Sequence, residues 1–277
     1  MKLILSRKGF DSSFGGCASP IFEDGSFVSL PIPEKSARMS FSDVGGNRRI
    51  EAVVEDLTEA RKKPLKANDH VHLDPDLRIE SRPRKPGWRP LFGQADAAQR
   101  HLDNHGVEVG DTFLFFGWFR RVENRDGGFR FKPGAPDIHM FFGWLEIGAI
   151  WRLWKDRLRI PNWASEHPHA NADYPRNTIY VAAGSGTTYN GGTFHSYSDQ
   201  LVLTEPGKSR SRWQLPKWFY PAVGKAALSY HGNVARWSLS ENCADLQSVA
   251  RGQEFVLDGN DYPEAVEWAK RLIAENG

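Results

Sequence analysis

GDTFLFFGWFR (residues 110–120) and HMFFGWLEIGAIWRLW (residues 139–154) share the phrase FFGW, at 115–118 and again at 141–144. Both runs are rich in aromatic residues that favour strands, and neither is long enough to span a membrane. Between them, NRDGGFRFKPGAPD holds Asp126-Gly127-Gly128 and two prolines, turn chemistry that lets a chain reverse and pair with itself. We therefore expect two neighbouring strands at the centre of an antiparallel sheet. Gly117 and Gly143 stand at the same place in each run, where a missing side chain admits another backbone, a bulge or a ligand.

The surrounding sequence fits a core built on that sheet. At 277 residues, 40% hydrophobic and 25% charged, the chain can bury a substantial core as one domain over 1–277. Ten tryptophans and seventeen phenylalanines can fill such a core or stack on a planar ligand. A net charge of +2 excludes a polycation, so any nucleic-acid contact must come from local basic patches. Cys17 and Cys243 form no CxxC pair and no disulfide framework, and no run has the length of a signal-peptide core or a membrane span. A cytoplasmic protein with reduced thiols is expected.

Three amphipathic patterns predict helices: one of three or four turns within IEAVVEDLTEARKK, one over about 95–104, and one over 263–275 that opens on proline. Lys2 to Leu5 reads as a buried strand, 21–33 as a hairpin around Asp24-Gly25, and 178–182 and 199–203 as further strands. WRLWKDRLRI (151–160) fits a strand or a helix equally. The fold class is α+β, mostly β, with a central antiparallel sheet or partial barrel and a few packed helices.

Four groups of polar residues carry candidate chemistry. The first strand runs into SRKGFDSSFGG, where Ser6, Arg7, Lys8, Ser12 and Ser13 meet a glycine-rich turn. Backbone N–H groups and two cations there can cradle a phosphate, although the spacing is neither a P-loop nor a dinucleotide fingerprint. Asp11 lies in the same loop, and Gln94 precedes the second helix. In HVHLDPD (70–76), an extended backbone puts His70, His72, Asp74 and Asp76 on one side, as an acid/base set or as part of a metal site. Pro75 interrupts that extension, a third ligand would have to come from elsewhere, and no metal or cofactor is assigned. His167 and His169, flanking Pro168, can reach one ligand together but have no carboxylate at a recognised interval. Two basic and aromatic stretches, SRPRKPGWRP with Arg82, Arg84 and Lys85, and KSRSRWQLPKWFYP with Arg210, Arg212 and Lys217, suit a groove that follows a phosphate backbone.

Taken together, SRKGFDSSFGG, SPIFEDGSFVSLPIP, HLDPD, GWRPLFGQADAAQRHL, VGDTFLFFGWFR and MFFGWLEIGAIW resemble the nucleotide modification associated domain 3 family of bacteria and their viruses. The resemblance covers almost the whole chain. It implies a link to systems that modify DNA bases, including phage-defence systems, with a nucleotide or DNA and other proteins of such a system as partners. It brings no reaction and no catalytic set. The Gly-Asp turn and the aromatic strands are also similar to small PUA, ASCH and EVE modules, which hold bases in aromatic pockets. Two functions follow as expectations. One is an enzyme on a nucleotide or base, with Asp11, His70, His72 and Asp74 catalytic. The other is a reader of modified bases, with Trp118 and Trp144 as stacking surfaces.

Overall fold

The computed structural model describes all 277 residues except 157, 158, 186, 187 and 251. Parts of WRLWKDRLRI and of the Gly, Ser and Thr-rich connection after residue 183 fall on those positions, outside the described residues.

The FFGW runs form two long adjacent strands, Thr112–Arg125 and Ile138–Arg152, paired antiparallel from Thr112 opposite Glu146 to Phe119 opposite Ile138. Asp126 and Gly127 take φ of 56° and 84°, the hand that a two-residue hairpin turn requires. They fold the first strand onto a short return strand, Gly128–Phe131, inside the stretch expected as a connection.

The sheet around this pair is mixed, which corrects the antiparallel expectation. Its main order is Glu254–Asp258, Lys2–Arg7, Thr112–Arg125, Ile138–Arg152, Thr178–Ala182, Leu91–Gln94. Lys2–Arg7 and Ser19–Ile21 both lie parallel to Thr112–Arg125. Parallel neighbours need a long crossover, and the chain between them supplies one, with helices α1 (Ile50–Thr58) and α2 (Asp96–Asn104). The sheet stays open and does not close into a barrel.

Helix α1 buries Ile50, Val53, Val54 and Leu57, the i, i+3, i+4, i+7 stripe expected of it. It ends earlier than predicted, where the Thr58 hydroxyl turns back onto Val54 O and accepts from Leu65 N. The third helix, α3 (Pro263–Asn276), buries Ala265, Ala269 and Leu272 and sets Trp268 edge-on to Phe141. Residues 199–203 were expected as a strand. Asp199–Leu201 is instead a 3-10 turn capped by Ser198, and only Val202 bridges to Met140.

Adjacent residues of a strand point to opposite faces, so Phe113 and Phe115 meet Phe92 and Tyr180 on one side while Phe116 meets Trp213 and Phe255 on the other. Each fully buried phenylalanine is worth about 1.5–3 kcal/mol, and core filling is the fate of most of these rings. The FFGW glycines serve backbone packing. A Cβ on Gly117 would sit 2.8 Å from Lys8 O, and one on Gly143 would sit 2.6 Å from Gly192 O. Among the described residues no helix is long and apolar enough to cross a membrane.

Candidate functional site

The strand Lys2–Arg7 delivers SRKGFDSS to a cavity of about 760 Å³, and the HVHLDPD segment reaches the same cavity from another wall. Arg7, Lys8, Asp11, His72, Asp74, Gln94, His169 and Glu254 line it. A second groove of about 760 Å³, beside Phe141 and Trp268, holds no histidine among its lining residues.

The reactive groups converge through short elements far apart in sequence. His72 ends the three-residue strand His70–His72, and Asp74 turns back at once, its N–H donating to His72 O at 3.0 Å. The tight turn overcomes the interruption expected at Pro75 and keeps both side chains together. His72 Nε2 lies 3.6 Å from Asp74 Oδ2, and His169 Nε2 lies 3.6 Å from the same oxygen. His167 Nε2 lies 3.3 Å from Asp74 Oδ1, so the carboxylate missing around His167 and His169 is Asp74. The backbone N–H of Gly93 also donates to Oδ1, at 2.9 Å.

A second layer holds these groups. His72 Nδ1 bonds the Glu34 carboxylate, which also accepts from Tyr174 Oη at 3.0 Å. His169 Nδ1 faces Asn177 Oδ1 at 2.7 Å, and Asn177 Nδ2 donates to the carbonyls of His169 and Ala172 at 2.8 Å each. Burial opposes charge on His72, but the carboxylates of Asp74 and Glu34 outweigh it and push the imidazole up to about 9. Burial also acts against the Asp74 carboxylate, yet His167 and His72 hold it well below the usual range. The bond to His72 draws Glu34 down to about 2. His169 goes the other way, pushed down to about 4 by burial. One charged and one neutral imidazole therefore share a single buried carboxylate.

Lys8, Gln94 and Glu254 form a second linked group in the lining. Glu254 Oε1 accepts from Lys8 Nζ at 2.8 Å and from Gln94 Nε2 at 2.6 Å, while its buried Oε2 has no partner. Asp11 stiffens the N-terminal loop, its Oδ1 accepting from the N–H groups of Ser13 and Phe14 at 2.7 and 2.6 Å. Arg7 and Asp11 also line a smaller adjoining cavity of about 370 Å³, with Ser12, Ser13, Trp118 and Arg210. There the Arg210 guanidinium lies 3.9 Å from the Trp118 ring centre and donates to Ser12 Oγ at 2.9 Å. Burial, and then neighbouring Arg210, lower the pKa of Arg7.

Other expected residues stand elsewhere. Ser6 is buried in its strand, His70 is exposed, and neither lines these cavities. Trp144 stacks on Phe194 at 5.1 Å between ring centres, away from both cavities. The pairing register shifts after Phe115, leaving Phe142 without an opposite residue, so the second FFGW does not continue the first. Arg82 and Arg84 are paired with buried Asp76, Lys85 with Glu166, Arg212 with Glu205, and Lys217 Nζ with Glu241 O. Trp88, within the first basic stretch, is buried with the Arg84 guanidinium 4.1 Å from its ring centre.

Sequence reasoning missed Glu34, Gly93, Asn177 and Glu254. Glu254 left one trace, a lone carboxylate opening the apolar run FVL. Gly93 is required by close approach, since a Cβ there would overlap the His169 ring. Gly93→Ala is expected to cost about 1–3 kcal/mol by overpacking and to dislodge His169 from Asp74. The check is a urea melt together with His169 imidazole shifts by NMR, and unchanged shifts would count against it.

A family model described as nucleotide modification associated domain 3 matches residues 2–258. No curated protein and no solved structure gives a significant match.

Proposed function

The chain belongs to the nucleotide modification associated domain 3 family, which ties it to nucleotide modification systems, and on that premise we propose that it is an enzyme acting on a nucleotide or a DNA base. One observation carries this reading: the N-terminal SRKGFDSS loop and the HVHLDPD segment line one cavity of about 760 Å³. That volume lies in the range of small-molecule sites, roughly 300–1,000 Å³.

The cavity is divided in its chemistry. At the loop end, Arg7 and Arg210 share the smaller cavity with Ser12 and Ser13, and neither arginine has a carboxylate within ion-pair distance among the described residues. Guanidinium groups in that setting suit phosphate oxygens. His72, Asp74 and His169 supply groups that accept and hold protons, with Lys8, Gln94 and Glu254 in the same lining. We assign phosphate binding to Arg7, Arg210, Ser12 and Ser13, and the reaction to His72, Asp74 and His169. Asp11 holds the loop in shape. A reader of modified bases needs a free stacking face, whereas Arg210 covers Trp118 and Phe194 covers Trp144. Two free cysteines, Cys17 and Cys243, support a cytoplasmic setting.

Arg210→Ala tests the binding half. It is expected to weaken binding of a nucleoside monophosphate about 10-fold or more by calorimetry while leaving the melting temperature and binding of the bare nucleoside unchanged. Equal loss for both ligands would refute phosphate recognition there. Asp74→Asn tests the reactive half. It is expected to abolish turnover of modified or unmodified nucleotides, monitored by mass spectrometry, with nucleotide binding retained; full turnover in this variant would overturn the assignment.

A further inference from the structure

We propose that His72, Asp74 and His169 form a binding site for one divalent first-row transition-metal ion, with Glu34 and Asn177 as the outer partners that orient the two imidazoles. The argument begins with where the protons must be. Asn177 donates both bonds of its Nδ2 to backbone carbonyls, which fixes its Oδ1 toward His169. That oxygen can only accept, so the His169 proton sits on Nδ1 and the Nε2 lone pair faces Asp74 Oδ2 at 3.6 Å. Glu34 likewise accepts from His72 Nδ1 and directs its Nε2 to the same oxygen. The His169 lone pair and the Asp74 oxygen face each other here in a buried place, and a metal ion between them binds in place of the proton on His72 Nε2.

The other carboxylate oxygen is already satisfied. Asp74 Oδ1 accepts from Gly93 N at 2.9 Å and has His167 Nε2 at 3.3 Å. His167 Nδ1 accepts from His169 N at 3.3 Å, which puts the His167 proton on Nε2, so this third imidazole turns no lone pair toward Asp74 and is not itself a ligand. Oδ2 alone is left for a metal. The three donor atoms lie within 4.8 Å of one another. Metal bonds of about 2.0–2.2 Å at tetrahedral angles put ligand atoms roughly 3.4 Å apart, so the two 3.6 Å separations need little adjustment.

Two imidazoles and one carboxylate select Fe(II), Co(II), Mn(II) or Zn(II) over Mg(II) and Ca(II), which prefer all-oxygen ligands. A carboxylate or amide behind each ligating histidine is the arrangement that raises ligand basicity and fixes the tautomer. Three protein ligands leave coordination positions free, and His72, Asp74 and His169 open on the cavity assigned to the nucleotide. The inference deepens the proposed function and takes the role of the metal from it, but the binding of the ion stands apart from turnover.

The test uses the full chain, stripped with a chelator and titrated with Co(II) and, separately, with Zn(II). Expected results are one equivalent bound, visible d–d absorption from Co(II), and a higher melting temperature with either ion. His169→Gln should abolish the stoichiometric binding, and Asn177→Ala should weaken it about 10–100-fold. His70→Ala, in the same sequence phrase but exposed, should leave it unchanged. Absence of stoichiometric binding by the wild-type chain would overturn the proposal, as would full binding by a folded His169→Gln variant. Metal bound without any turnover would remove the enzymatic reading and leave the site standing. Nucleotide turnover by the stripped protein would uphold the enzymatic reading and take from the ion its role in the reaction, the site itself being judged by the titration alone.

Discussion

Asp76→Ala is expected to lower stability by about 3–5 kcal/mol, because it leaves two guanidinium groups in the interior without their counter-charge. The Asp76 carboxylate is fully buried and accepts from Arg84 at 2.7 and 2.6 Å and from Arg82 at 3.0 Å. Both arginine side chains are themselves about nine-tenths covered, at 8% and 11% exposure, and the Arg84 guanidinium lies over the Trp88 ring. Backbone bonds in both directions between Asp76 and Leu91 tie the trio to the strand Leu91–Gln94, which also carries Gly93 and Gln94 into the cavity. Chemical denaturation with parallel measurement of ligand binding is the check. A loss under about 1 kcal/mol would mean that the arginines find solvent easily and that this stretch is free to meet an external anion.

Acid is expected to destabilise the folded chain well before the carboxylates titrate. His139 is buried in the core, where its Nδ1 accepts from Trp213 Nε1 at 3.0 Å. Burial, and then Arg7 and Arg210, hold its pKa well below 6.5. Burial pushes His231, packed edge-on to Phe255, and His169 down to about 4 each. In the unfolded chain all three titrate near 6.5, so as pH falls the unfolded state takes up protons first. The stability these groups give is complete above pH 6.5 and is lost as pH falls toward their folded values. His72 has the opposite sign: its contribution is complete below pH 6.5 and is lost as pH rises through about 9. These three, together with the partly exposed His101 that burial and then His105 also lower to about 4, outweigh His72, at about 1.4 kcal/mol for each pH unit per group and less for His101, which solvent screens. Moving metal-free protein from pH 7.5 to 5.5 should therefore cost roughly 3–4 kcal/mol. Urea midpoints at the two pH values measure this, and equal midpoints would show that the histidines are free to charge in the folded state.

Local pattern carried much of the fold. The FFGW strands, the Asp126-Gly127 turn and the three helices are written in periodicity and turn residues, which act over a few positions. The parallel placement of Lys2–Arg7 was not legible, because strand direction follows from a crossover of many residues. The site divides in the same way. His72 and Asp74 were named together from one phrase, and His167 and His169 from another, yet nothing in either phrase says that they meet. Arg82 and Arg84 misled for a related reason. Charge in a sequence looks the same whether it faces solvent or, as here, is neutralised by an aspartate buried beneath it.

The pairing of Lys2–Arg7 with Glu254–Asp258 has a consequence for the order of events during synthesis. Lys2–Arg7 is synthesised about 250 residues before its partner Glu254–Asp258 and waits for it before both its edges are covered, and Gln253 and Glu254 bring part of the cavity lining with them. A nascent chain stalled before residue 250 would expose an unpaired strand edge to its neighbours, and the cell would have no ligand-ready intermediate to rescue.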